Sequence, residues 1–485
     1  MIQTQLPQQN NTSRGTLRMN NLTRYESDSI GIMEIPVDAY YGVQTFRAVV
    51  NFPITGRKLH PALISSLAQV KKASAITNYA AGKLTKVQHD CIVQACDEIL
   101  EGKFLDSFLV DPIQGGAGTS TNMNANEVIA NRAEELAGGT KGAYAIVHPN
   151  DHVNMAQSTN DVIPTSGKLT TLVLIDALVP ELEKLCDALD EKAVAFDYIL
   201  KMGRTQLQDA VPMRLGQAFN AYATSIRRNI KNLLKSKENL YEINMGGTAI
   251  GTAINADPYY LANIVPVLSD LTGYPFVQAK DLFDATQNLD CFVEVSGTIK
   301  ACAVTLSKIC NDLRLLSSGP RTGIREIYLP AMQNGSSIMP GKVNPVIPEV
   351  VTQVAFAVIG NDTTIALSAE AGQLELNAFE PVLFDRLFDS LDSLKNAVNT
   401  LTVNCVTGIT ANEKRCKHYV EQSVGIITAL VPALGYKKAA EIAKKALYTG
   451  SSVRALLLEE ELFTPDELNA LLDPFVLTNP PKAEE

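Results

Sequence analysis

Phe292, Val295, Ile299, Cys302, Leu306, Ile309, Leu313 and Leu316 recur at alternating spacings of three and four residues. An α-helix turns once in about 3.6 residues, so this heptad pattern draws them onto one stripe about six turns long. Such a stripe has no place in a sheet and is stable only when other helices cover it. Leu215, Phe219, Tyr222, Ile226, Ile230 and Leu233 repeat the pattern in a second long helix, predicted to run to about Ile243. A third is predicted over 166–198, where Pro180 should bend it or break it in two. Residues 346–370, starting beside Pro345 and Pro348, and 379–404 complete a set of five. Five long helices predict a mainly α fold with a central up-and-down bundle. From Val350 to Ile359 the helix is apolar nearly all round, which points to burial against other subunits as well.

The flanking regions read differently. Two shorter helical patterns lie within 60–102 and another at 123–138; extended signals are weak, limited to Tyr198–Met202 and the glycine-rich Asn244–Thr252. After Cys405 come short amphipathic helices at 436–447, 451–459 and 465–472, closing on Asn479-Pro480-Pro481. A length of 485 residues suggests about three domains. The expected division is a disordered tail (1–20), an N-terminal helical domain (21–155), the central bundle (156–405) and a small C-terminal helical domain (406–485). Met1 to Asn21 is polar and lacks both the apolar segment of a secretory signal and the arginines of a transit peptide. No run of apolar residues approaches the length of a membrane span. A net charge of −10 argues against nucleic acid or an anionic membrane as partner. Eight cysteines at scattered spacings, with no CxxC pair, suit a reducing compartment and hence the cytoplasm.

Several familiar motifs fail on inspection. In Gly335-Ser-Ser-Ile-Met-Pro-Gly341-Lys342 five residues separate the glycines where a phosphate loop has four, and Val343 replaces its hydroxyl residue. Gly116-Ala-Gly118-Thr-Ser-Thr121 lacks the third glycine of a dinucleotide fingerprint. His148 and His152 could suggest a metal site, but His-Pro-Asn-Asp-His reads as a capped or hydrogen-bonded turn, so no metal ligand is assigned. No Gly-x-Ser-x-Gly elbow is present.

Small polar residues instead gather in four segments that precede or interrupt long helices. These are Gly115–Asn122, Gln157-Ser158-Thr159-Asn160-Asp161, Gly203-Arg204-Thr205-Gln206, and Gly335–Pro345 with its Lys342. Plain helix capping accounts for any one of them. Together they suit a small carboxylate held by many neutral donors and one cation.

Gly335-Ser-Ser-Ile-Met-Pro-Gly-Lys-Val-Asn-Pro345 resembles the signature loop of the fumarase/aspartase superfamily, and the other three segments match its remaining signature regions in order. The resemblance runs from about Ser29 to the C-terminus. Within the superfamily Val37–Val43, Gln114–Ser120, Gln157–Asp161, Lys201–Pro212 and Glu370–Gln373 resemble the ammonia-lyase branch. What it implies is reversible deamination of L-aspartate to fumarate and ammonia. The base corresponds to Ser336, removing a proton from the carbon next to a carboxylate to give an enediolate that expels ammonia. Backbone N–H groups of the Gly335–Gly341 loop and the Lys342 ammonium are the candidates to stabilise the serine alkoxide. Lys342 and Asn344 would hold the carboxylate on which charge accumulates. Thr119, Ser158, Thr159, Asn160, Thr205 and Ser337 would bind the carboxylates and the amino group, Asn160 contacting the latter.

Gln206 departs from the histidine found at this position in nearly all fumarases and some aspartases. Glutamine cannot exchange protons at neutral pH, which would hurt the loss of hydroxide but not the loss of neutral ammonia; Gln206 is read as a binding residue. The alternatives are fumarate hydratase and a non-catalytic structural homologue. The resemblance implies no required cofactor, with activation by Mg2+ at an accessory site around His148-Pro-Asn-Asp151 left open. It also implies a homotetramer whose central bundles join into one helical core and whose active sites are shared between subunits.

Overall fold

The computed structural model describes residues 22–479; the tail at 1–20 and the closing Pro480-Pro481 lie outside the described residues. Five long helices form a ring: Thr159–Ala195 (α5), Leu215–Ser236 (α6), Asp290–Leu316 (α9), Val346–Glu370 (α10) and Glu380–Asn404 (α11). Tyr222 of α6 reaches Asp312 of α9, Lys300 of α9 pairs with Asp362 of α10, and Asn361 of α10 bonds Ser390 of α11. Glu181 and Asn399 close the ring between α5 and α11. An odd number of alternating helices must leave one parallel contact. Here it is α5 beside α11, where Gly167 abuts Phe384 and Glu181 meets Asn399, both pairs advancing in the same direction. The stripe from Phe292 to Leu313 is buried throughout, as its spacing requires.

Three boundaries differ from the sequence expectation. α5 starts at Thr159 and runs 37 residues without a break, through Pro164 and Pro180. A proline in a helix strands the carbonyl four residues back. The carbonyl of Asn160, stranded by Pro164, accepts instead from Asn244 Nδ2 at 3.0 Å, while Asp176, behind Pro180, lies exposed. α6 stops at Ser236 and gives way to a 3-10 turn over Lys237–Leu240, short of Ile243. Asn244–Thr252 turns rather than extends, because Gly246, Thr248 and Gly251 all have positive φ.

The N-terminal part contributes a hairpin of Thr23–Ser27 (β1) and Ile32–Pro36 (β2). The helices Val43–Asn51 (α1), Pro61–Ala80 (α2), Lys86–Leu100 (α3) and Thr119–Leu136 (α4) follow. Leu200–Thr205 (β3) and Gln208–Arg214 (β4) form a second hairpin between α5 and α6. Between α6 and α9 lie the short parallel pair Glu242–Ile243 (β5) and Val277–Gln278 (β6), with Pro258–Thr272 (α7) and the single turn Asp284–Gln287 (α8). Ile327–Tyr328 (β7) pairs antiparallel with Thr410–Ala411 (β8) and so ties the root of the 329–345 segment to the far end of the bundle. One apolar cluster is continuous from Ala48 to Cys416, so the N-terminal helices and the bundle share a core. A second begins at Val420. It is built from Glu413–Gln422 (α12), the 3-10 segment Val424–Leu430, Val431–Leu434 (α13), Tyr436–Thr449 (α14), Val453–Glu459 (α15) and Pro465–Leu471 (α16), while Pro474–Thr478 (α17) lies outside it and reaches Arg214 of β4.

α5 and α10 are long and apolar enough to cross a bilayer by length and composition, which the search for unbroken apolar runs missed. α5 is packed within the bundle, whereas α10 leaves Phe356 and Leu367 each 63% exposed in the single chain.

Candidate active site

The first two polar segments meet at the amino ends of α4 and α5. Gly118 precedes α4 with φ +85, and a Cβ there would lie 3.1 Å from Ile163 of α5, so the glycine lets the two helix starts approach. Thr119 is exposed and donates its hydroxyl proton to the Gly116 carbonyl at 2.7 Å. Ser158 caps α5 by accepting from the Asn160 N–H, and Asp161 returns the bond to the Ser158 N–H at 2.9 Å. The other Asp161 oxygen takes the N–H groups of Gly246 and Thr248, each at 3.1 Å. Asn160 Nδ2 donates to the Ala249 carbonyl at 2.7 Å, so its own carbonyl oxygen remains the group available to a ligand ammonium. Asn122 Nδ2 donates to Thr159 Oγ1 at 3.2 Å, which leaves the threonine proton to point elsewhere.

A buried cation lies beneath this pair of helix starts. Lys71 of α2 is fully buried and donates to Asn154 Oδ1 at 2.8 Å and Gln157 Oε1 at 2.9 Å. The same Asn154 oxygen receives Asn122 and Asn126. Burial pushes the Lys71 amine down to about 7, with nearby Asp161 opposing the shift. Burial raises the Asp161 carboxyl to about 6, against its three N–H donors and Lys71. Lys71, Asn122, Asn154, Gln157 and Asp161 were not among the expected site residues. The sequence signal for Lys71 was its place one turn after the apolar Leu63, Leu67 and Val70 face of α2, where a charge is buried only if paired.

Thr205 and Gln206 stand elsewhere, exposed at the tip of the β3–β4 hairpin. Gln206 (φ +54) and Leu207 (φ +62) are the two left-handed residues of a tight turn whose twist matches the strands. The fourth segment is the loop between β7 and α10. Gly335 N–H donates to the Lys342 carbonyl at 2.9 Å and Asn344 Nδ2 to the Gly335 carbonyl at 2.7 Å, closing the loop at its neck. Inside it, Ser336 Oγ accepts two backbone N–H groups, from Ile338 at 3.1 Å and Met339 at 3.0 Å. Ser337 and Lys342 are exposed. Asn344 therefore has its amide turned to the loop backbone, with its oxygen as the remaining free group.

Within one chain the structure thus joins Thr119, Ser158, Thr159 and Asn160 in one group, Thr205 and Gln206 in a second, and Ser336, Ser337, Lys342 and Asn344 in a third. Two cavities do not unite them. One, of about 160 Å³, lies behind Gly118 and Thr121 against Phe384 and Phe388; the other, of about 550 Å³, lies between Tyr198–Leu200 and the second core.

His148 caps the turn Pro149–Val153 through Nδ1, which accepts from Asn150 and Asp151, and His152 Nδ1 accepts from the His148 N–H at 2.8 Å. The second His152 nitrogen meets Gln88 at 3.1 Å. The turn is a hydrogen-bonded one, and it offers a hard cation little beyond the exposed Asp151 carboxylate. Among the described residues no three His, Cys, Asp or Glu side chains gather to hold a metal. All eight cysteines are free thiols, six of them buried.

Known proteins are similar to this chain over nearly its full length. Residues 31–360 match a family described as Lyase, and 426–479 match one described as Fumarase C C-terminus. The aspartate ammonia-lyase of Bacillus subtilis (strain 168) is 55% identical over 457 residues, covering 94% of this chain and 96% of that protein. That of Escherichia coli (strain K12) is 49% identical over 465 residues, covering 95% and 97%. Among solved structures, a fumarate lyase:delta crystallin from Brucella melitensis bound to cobalt superposes with a TM-score of 0.92 at 48% identity, covering 95% of this chain and all of that one. A class II fumarase from Schistosoma mansoni gives 0.88 at 33%, covering 93% and 98%.

Proposed function

The chain belongs to the fumarase/aspartase superfamily of lyases, and on that premise we propose that it deaminates L-aspartate reversibly to fumarate and ammonia. The observation that carries the reading is identity of about half over nearly the full length to relatives named aspartate ammonia-lyase.

The mechanism we infer starts at Ser336. Its alkoxide takes a proton from the aspartate carbon next to the side-chain carboxylate, and the electron pair moves onto that carboxylate as an enediolate. The pair then returns to form the double bond as the C–N bond breaks, and the ammonium leaves as neutral ammonia. A serine needs its anion stabilised to act as a base. Two N–H groups aimed at Oγ, from Ile338 and Met339, are the donors such an anion requires. Lys342 and Asn344 bind the carboxylate that becomes the enediolate. Thr119, Ser158, Thr159, Thr205, Gln206 and Ser337 bind the remaining carboxylate oxygens, and the Asn160 carbonyl takes the amino group.

The alternative of a fumarate hydratase loses support from Gln206, because hydroxide needs a proton to leave and glutamine has none to give. A non-catalytic homologue loses support from Ser336, Lys342 and Asn344 standing together on one loop. Purified protein mixed with L-aspartate or with L-malate, followed by fumarate absorbance, separates the three. Fumarate is expected from aspartate. Fumarate from malate alone would establish the hydratase, and none from either the non-catalytic homologue.

We further propose a homotetramer with active sites shared between subunits. The outward apolar face of α10 and the separation of the three site groups in one chain support this. A solution mass of four times 52.5 kDa is expected. No cofactor is required in this reading, and the His148–Asp151 turn supplies a hard cation with one exposed carboxylate, Asp151. Turnover after EDTA treatment, unchanged on adding Mg2+, is the expected result. Free thiols throughout favour the cytoplasm.

A further inference from the structure

Glu326 lies outside the three site groups, one residue before β7 and three before the loop that carries Ser336. Its side chain is 0% exposed and faces two cations of the other hairpin, Lys201 Nζ at 3.1 Å and Arg204 Nη1 at 2.8 Å. Both belong to β3, whose end is Thr205. On a regular strand residues three apart start on opposite faces, so Lys201 and Arg204 share this partner through the reach of their long side chains and the local irregularity of the hairpin. The β3–β4 register shifts between Met202 and Arg204, where two β4 residues, Ala210 and Val211, oppose the single Gly203, a bulge that adds local twist to the pair. A Cβ at Gly203 would lie 2.7 Å from the Val211 carbonyl, so the bulge needs glycine.

The other end of the contact is fixed as firmly. The Glu326 N–H donates to the Leu316 carbonyl, closing α9, and its carbonyl accepts from Asn412, each at 2.8 Å. Arg325, before it, is held at φ +52, a conformation a non-glycine residue adopts only when its surroundings impose it. Asn412 Nδ2 supplies part of that restraint by donating to the Arg325 carbonyl at 3.0 Å. One carboxylate against two cations also leaves a positive charge at the foot of the hairpin whose tip bears Thr205 and Gln206.

From this geometry we propose that Glu326 is a positioning residue. With Lys201 and Arg204 it clamps the Thr205–Gln206 hairpin to the strand from which the Ser336 loop departs, so that one buried ion-pair triad sets two of the three site segments of each chain. The inference rests on the aspartate-deaminating reading, because only there do both segments touch substrate. Burying charges is justified only while all partners stay matched, so the triad holds its members in one arrangement.

Glu326→Gln and Glu326→Asp in the full-length protein test it, with kcat and KM for L-aspartate, Ki for succinate, far-UV circular dichroism and melting measured together. Glu326→Gln is expected to stay folded, lose about tenfold or more in kcat and bind succinate more weakly, as misplaced contacts do. Glu326→Asp is expected to recover part of kcat, since it restores the charge one methylene short. If Glu326→Gln does not fold, Lys201→Met carries the test, because it keeps the Glu326–Arg204 pair; a smaller loss in kcat at native circular dichroism is then expected. Folded Glu326→Gln with wild-type kcat and Ki would overturn the proposal, as would folded Lys201→Met with wild-type values. A wild-type protein inactive on L-aspartate would fail the functional reading instead. Amide exchange then decides the clamp: Glu326→Gln must speed exchange both at 205–207 and at 335–344, and faster exchange at one segment alone would refute it.

Discussion

Asp161 at the amino end of α5 is fully buried and receives three backbone N–H groups, whereas Ser336 sits in a segment whose hydrogen bonds, among the described residues, run back to that segment. The first region is held from α2, α4 and the Asn244–Thr248 turn at once. The second is fastened at its root by β7 and at its neck by Gly335 and Asn344. The binding group is thus a rigid platform tied into the core, and the base is carried on an arm that can reach a ligand without disturbing that core. Preorganised donors suit a carboxylate that is charged throughout the reaction, while the base has only to arrive.

If the comparison is right, damage to the arm should cost activity and damage to the platform should cost stability. Ser336→Ala should lower turnover about 100- to 10,000-fold, the range for loss of a proton-transfer group, with melting unchanged. A large drop in melting temperature would place Ser336 in the framework instead. Gly335→Ala puts a Cβ 2.4 Å from the Lys342 carbonyl and should open the neck. About tenfold lower kcat with near-native melting is expected, since among the described residues the arm's hydrogen bonds run back to the arm itself.

On the platform, Lys71→Met strands the Gln157 oxygen, takes one of three donors from Asn154 Oδ1 and should destabilise by about 1–3 kcal/mol in chemical denaturation. The effect depends on pH. Lys71 is held down at about 7 in the fold against 10.5 in an unfolded chain, so between these values the unfolded chain binds the extra proton. Its contribution to stability therefore rises as pH rises through that window, and the gap between wild type and Lys71→Met should widen from pH 7 to pH 9. An equal gap at both would mean that Lys71 titrates normally. The smallest effect belongs to Gly118→Ala, where a left-handed φ of +85 and the contact with Ile163 should cost about 1 kcal/mol in melting experiments.

The platform and the arm were not equally legible. The arm was legible by resemblance, because Gly335 to Pro345 matches a superfamily signature loop, whereas capping accounts for any one polar segment taken alone. The bundle was legible from spacing, since α6 and α9 each carry a stripe at intervals of three and four that only neighbouring helices can cover. What the sequence concealed were long-range polar contacts. The expected start at 166 left Pro164 outside its helix, where the carbonyl it strands is met by the Asn244 Nδ2 donor, and Lys71 drew no assignment although Asn154 and Gln157 surround it. Glu326 is hidden more deeply, because strand alternation puts Lys201 and Arg204 three apart on β3 and gives no hint that both reach the same distant carboxylate. Each of these joins residues far apart along the chain, and no local periodicity reports such a pairing.

The central claim is that the loop serine moves the proton. Fumarate and ammonium in D2O, incubated with wild type or with folded Ser336→Ala and followed by proton NMR, test it in the reverse direction. Wild type should form aspartate carrying a single deuterium on the carbon next to the side-chain carboxylate, and Ser336→Ala almost none. Deuterated aspartate formed by the variant at the wild-type rate would contradict the account.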